Sequence, residues 1–137
     1  MTKQKIVPRA MYKNHVIKAR GFYEAMEYSL EKGNWDACAS SAVHAIISIV
    51  DALAIQRLGK RSSSQNHIES YFMLQEIKTS DENRKASLRN DVTGLINLKT
   101  PAEYEERLLS KADAERAVHK CKKIYAFISE EIKKGEL

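Results

Sequence analysis

Cysteine occurs only twice in 137 residues, at Cys38 and Cys121. Two residues that far apart make neither a disulfide framework nor a thiolate metal site. Proline occurs only at Pro8 and Pro101, and glycine five times, which excludes collagen-like and Pro/Gly-rich disordered chains. No apolar run approaches the ~20 residues that a membrane span needs, so no membrane association is expected. The N-terminus lacks the apolar core of a signal peptide, which predicts a cytoplasmic protein. The four histidines, His15, His44, His67 and His119, form no pairs at metal-ligand spacing with an acid between them. The loop at Gly59 lacks the second glycine and the Lys-Ser/Thr ending of a phosphate-binding loop. Neither a metal nor a cofactor is therefore expected.

What is there is a globular composition, 43% hydrophobic and 30% charged. The length suits a single domain over residues 1–137, and chains of this size bury roughly 65–70% of their unfolded surface. The net charge is +5 and it is unevenly placed. Residues 1–20 carry Lys3, Lys5, Arg9, Lys13, Lys18 and Arg20 and no acid, whereas the remainder is close to neutral. The basic character thus belongs to an N-terminal arm at about residues 1–15 and the turn of chain after it. Such an arm can hold nucleic acid electrostatically, or it can be a solvated, frayed terminus.

Periodicity is helical almost throughout. The first helix is expected from Pro8 or Met11 to Lys32, with Val16, Ala19, Phe22, Tyr23, Met26 and Leu30 inward. Gly33-Asn34 stops it, and Asn34 or Asp36 caps the next helix. That second helix, Trp35 to Leu58, is apolar nearly all round, with Asp51 as the only charge between Asp36 and Arg57. Such a helix is central and buried. Its polar exceptions Ser41, His44, Ser48 and Asp51 recur at spacings of three, four and three and form one stripe. Small uncharged polar residues there suggest cover by another chain or a polar network, which makes Ser41, His44 and Ser48 candidate interface residues. A partly exposed seam between helices is the plainer reading.

The loop 59–66 precedes a third helix opened by His67. Ser80 is expected to cap a fourth helix from Asp81 to about Lys99, with Leu88, Val92, Leu95 and Ile96 inward. Thr100-Pro101-Ala102-Glu103 reads as a capping box, and Ser110 to Asp113 starts the last helix similarly. Ala117, Cys121, Ile124, Ile128 and Ile132 form its buried seam. The sum is an all-α, up-and-down bundle of four to five helices.

One constellation carries chemistry. Arg61 and His67 flank the loop, and Asp51 lies earlier on the buried helix. His can handle the 2′-hydroxyl or leaving-group proton of RNA, and Arg can stabilise phosphorane charge, without a metal. The same residues can instead bind phosphate or simply fix the loop.

The run Ala42-Val43-His44-Ala45-Ile46, then Asp51-Ala52-Leu53, Gly59-Lys60-Arg61-Ser62, His67, Leu98-Lys99 and Ala102-Glu103-Tyr104 resembles small prokaryotic HEPN-domain proteins. The resemblance spans about residues 17–130. It implies an all-α bundle that dimerises through its helices, whose relatives include RNA-cleaving toxins and partners of nucleotidyltransferase-like proteins. Nuclease members carry an Arg followed four to six residues later by His, often with a nearby Tyr. Here, if Tyr104 is that tyrosine, the His position falls on Ala102 and the Arg position near Asn97. Arg89 has no His within six residues after it, and His119 lies three after Arg116. The resemblance therefore implies a non-catalytic homodimeric binding or accessory protein. It would act with a nucleotidyltransferase-like, toxin–antitoxin or defence partner, and Asp51, Arg61, His67, Lys99 and Tyr104 would form one patch for nucleotide or RNA. The alternative is a metal-independent endoribonuclease using Arg61 and His67.

Overall fold

The computed structural model describes residues 3–63 and 68–137. His67, and with it the expected start of the third helix, lies outside the described residues. Strand β1 (Gln4–Ile6) leads through a short 3-10 turn (Arg9–Met11) into α1 (Tyr12–Lys32). Helix α2 (Trp35–Leu58) follows, then strand β2 (Lys60–Ser62), α3 (Glu69–Glu76), α4 (Glu82–Ser87), α5 (Arg89–Ile96), α6 (Lys99–Glu103) and α7 (Lys111–Gly135). Among the described residues the fold is all-α apart from this strand pair.

Gly33 adopts φ 78°, and the Gly33 and Asn34 N–H groups bond back to Leu30 and Ser29. This tight left-handed cap turns the chain in two residues and lays α2 antiparallel against α1. Asn34 does not cap α2 through its side chain. Asp36 accepts instead from the Leu109 N–H at 3.2 Å and ties down the segment before α7. Fourteen of the residues of α2 are buried, from Cys38 to Ile55, because α1, α7 and the shorter helices pack round it. By length and hydropathy this helix passes for a membrane span, with a mean of 1.8 over 18 residues, contrary to the expectation that no stretch comes close. Yet 72% of that window is buried inside the bundle, as in the core helix of a soluble domain.

Helix α7 shows the expected capping box: Ser110 and Asp113 each bond the other's backbone N–H. Its seam of Ala117, Cys121, Ile124, Ile128 and Ile132 is buried as expected. The single helix expected over 81–99 is instead broken into α4, α5 and α6, although Leu88, Val92, Leu95 and Ile96 do face inward. The breaks fall at Leu88 and at Asn97 and Leu98, and at the second of them Asn97 is a weak helix former. The cap of α4 is Asp81, which accepts from the Arg84 N–H, and not Ser80. The box expected at Thr100 and Glu103 does not form, because α6 begins before it and has no side-chain cap. Phe22 is exposed rather than part of the core.

The basic arm is not a frayed terminus. β1 pairs antiparallel with β2, Gln4 opposite Ser62, Lys5 opposite Arg61 and Ile6 opposite Lys60. Arg9 fixes the arm further by donating to the Gln56 and Arg57 carbonyls at the end of α2.

Candidate functional site

Because α1 and α2 diverge from a two-residue turn, residues at equal distance from it face one another. Phe22 meets His44, and the first turns of α1 meet the end of α2 that carries Asp51. The strand pair crosses this same end. The result is a cleft of about 550 Å³ between β1, β2 and α1. Lys5, His15, Lys18 and Arg61 line it, and among the described residues no acid does.

Asp51 lies below this cationic rim, 8% exposed. Burial pushes its carboxyl up to about 7, against the pull of Arg61 and Lys18. His15 is shifted the other way: burial, with Lys18 and Arg61 nearby, holds its imidazole below the ordinary histidine range. The shift favours the neutral imidazole, which carries one N–H donor and one acceptor nitrogen. Among the described residues the Arg61 guanidinium donates to the Ser62 carbonyl at 3.0 Å, and its fork carries five N–H donors in all.

Lys99 and Tyr104 belong to a second group. The Lys99 ammonium bonds the Tyr104 hydroxyl at 3.1 Å and lies 3.4 Å from the Glu103 carboxylate. His44 Nε2 lies 3.5 Å from the other Glu103 oxygen. Phe22 stacks on the His44 ring with centroids 5.2 Å apart. The hydrogen bond to Tyr104, helped by Glu103, holds the Lys99 ammonium above the usual lysine range. His44 and Asp51 stand two turns apart on α2, about 10 Å along its axis. The five residues expected to share one patch are therefore placed in two groups on one stripe, with His67 outside the described residues. Within the stripe Ser48 and Asp51 are buried, whereas Ser41 and His44 are half-buried.

Sequence reasoning singled out Arg61 and Asp51 but missed Lys5, His15 and Lys18 as members of the cleft, and Phe22 and Glu103 as partners of His44. The signal was available for α1: counting outward from the Gly33-Asn34 turn puts Lys18 and His15 beside the Asp51 end of α2. Among the described residues no group of three His, Cys, Asp or Glu side chains is placed to hold a metal.

An all-α bundle built round one buried helix, with a polar stripe meeting a cationic cleft, is the class this architecture defines. The model of the HEPN domain family matches residues 12–132, and the chain belongs to that family. The fold is also similar to the crystal structure of TT1696 from Thermus thermophilus. The TM-score is 0.72 and the identity 18%, covering 88% of this chain and 98% of that one. No curated protein matches the chain in sequence.

Proposed function

We propose that this HEPN-domain chain is a non-catalytic binding module for a phosphate-bearing ligand, RNA or a nucleotide, held in the cleft between β1 and α1. The observation that carries this reading is the convergence of Lys5, His15, Lys18 and Arg61 on one concavity with no acid among its described lining residues. Arg61 offers a planar fork that suits phosphate oxygens, and Lys18 and Lys5 add mobile point charges. His15 adds a neutral donor. Asp51 beneath them tunes the site: protonated, it stops repelling an anion, so binding should tighten as pH falls through about 7. The family resemblance supports a homodimer in the cytoplasm that works beside a nucleotidyltransferase-like or toxin–antitoxin partner.

The test is fluorescence anisotropy of single-stranded RNA with purified protein in EDTA, at several salt concentrations. The expected result is salt-dependent binding without cleavage. Lys18→Ala and Arg61→Ala should each weaken it and each lower the slope of log K against log salt by about 1. Equal binding by wild type and both variants would remove the cleft from the account. Cleavage of the RNA that is lost in His67→Ala would make the chain a metal-independent endoribonuclease instead.

A further inference from the structure

Among the described residues, β1 is an edge strand with one side unused. The Val7 N–H bonds the Gly59 carbonyl at 2.9 Å and the Ser63 N–H bonds the Lys3 carbonyl at 3.0 Å. In an antiparallel ladder bonded pairs alternate, so Lys5 and Arg61 form the bonded pair between them. The backbone N–H and C=O groups of Gln4 and Ile6 therefore point away from β2. All three residues of β1 are exposed, and the Ile6 side chain is 88% exposed. Open N–H and C=O groups beside an exposed aliphatic side chain are a template for another strand.

We infer that the outer edge of β1 pairs with an extended segment of another protein, in which acidic and aliphatic residues alternate. The alternation follows from the two faces of β1. Lys5 shares its face with Arg61 and looks into the cleft with His15 and Lys18, so segment residues on that face meet cations. Ile6 lies on the opposite face with Gln4, whose amide bonds Glu76, and its exposed side chain gives the adjacent segment residue an aliphatic contact. A second copy of this edge is a poor occupant, because residues 1–20 carry six positive charges and no negative one, and two such edges repel. Main-chain bonds would supply affinity and the alternating side chains specificity, as in other strand-addition complexes. The inference rests on the strand edge for its main-chain bonds and, for its acidic residues, on the same cationic cleft as the proposed function.

The probe is a blocked peptide of ~7 residues, an ordinary strand length, alternating valine and glutamate, titrated into labelled protein with amide exchange followed by NMR. The expected result is binding in the micromolar range with slowed exchange at Gln4 and Ile6 and no slowing at solvent-facing amides of α1. Ile6→Pro removes an outward N–H while leaving the bonds to β2 in place, so it should weaken binding at least tenfold with an unchanged melting temperature. Unchanged exchange at Gln4 and Ile6 in the saturated wild-type complex would overturn the proposal even if the proline variant failed to fold. So would equal affinity for a peptide with lysine in place of glutamate, or for polyglutamate, which would be capture by charge alone. Self-association of the protein that disappears in Ile6→Pro would hand the edge to a second copy.

Discussion

Asp51 has the most costly position of any single side chain on α2. A carboxyl whose folded value is about 7 and whose unfolded value is 3.8 binds its proton more tightly in the native state. Between those values the folded chain holds more protons than the unfolded one, so stability falls as pH rises through that window and is level above it. Asp51→Asn should flatten this dependence and raise stability at pH 8 by on the order of 2–4 kcal/mol, at about 1.4 kcal/mol per pH unit. Urea melts of both proteins at pH 5 and pH 8 check it, and parallel curves at the two pH values would refute it. The two cysteines are shifted in the same direction by the same cause. Burial pushes Cys38 up to about 11 and Cys121 to about 12, so both remain inert thiols. Their place in apolar stretches was readable from sequence. So was the oddity of Asp51, the one acid in a long apolar helix. Its cationic neighbours were not, because the charges of residues 1–20 looked diffuse until the strand pair gathered them.

At the scale of elements, the ends of α2 and α7 are joined to the 77–82 loop by a buried polar network. Glu131 is 1% exposed. It accepts from the Ser80 N–H at 2.9 Å and from the Ser80 hydroxyl. Arg57 donates to the Glu131 backbone carbonyl, and Lys134 lies 3.4 Å from its carboxylate. Burial alone would raise the Glu131 carboxyl, and the Ser80 and Lys134 contacts outweigh it and hold it below its ordinary value. Glu131→Ala leaves the Ser80 donors and Lys134 without their carboxylate while Arg57 keeps the backbone carbonyl, so it should cost about 3 kcal/mol, the upper range for buried donors left without an acceptor. Ser80→Ala should cost nearer 1 kcal/mol, the net value of a typical hydrogen bond. Comparison of their urea midpoints tests the ordering, and equal midpoints would contradict it. Helix boundaries that depend on neighbours in sequence were legible: the Gly33 cap and the Ser110 box are where the residues put them. Ser80 misled because a serine before Asp81 looks like a cap, and only the approach of α7 shows that its hydroxyl is used by Glu131, fifty-one residues away.

At the scale of the whole molecule, stability rests on the burial of α2 over most of its surface. Ile46 is 0% exposed among the core residues. Ile46→Ala should therefore destabilise the fold by about 2–5 kcal/mol through lost apolar burial and a cavity. Calorimetry or denaturant unfolding measures it, and a loss below about 1 kcal/mol would show that the bundle collapses round the gap. Composition and period are sufficient for the helical class, the identity of the central helix and most of the core, because those follow from contacts three and four residues apart and from the apolar character of one segment. The strand pair joins residues 4–6 to 60–62, and no local pattern announces a partner at that separation. It forms only once α1 and α2 have closed into a hairpin and brought both segments to one end of the bundle. The same closure gathers Lys5, His15, Lys18 and Arg61 above Asp51 and leaves Lys99 and Tyr104 with Glu103 and His44 two turns away. Which charges share a site is therefore a property of chain closure, since electrostatic partners are set by distance in space and not by spacing along the chain.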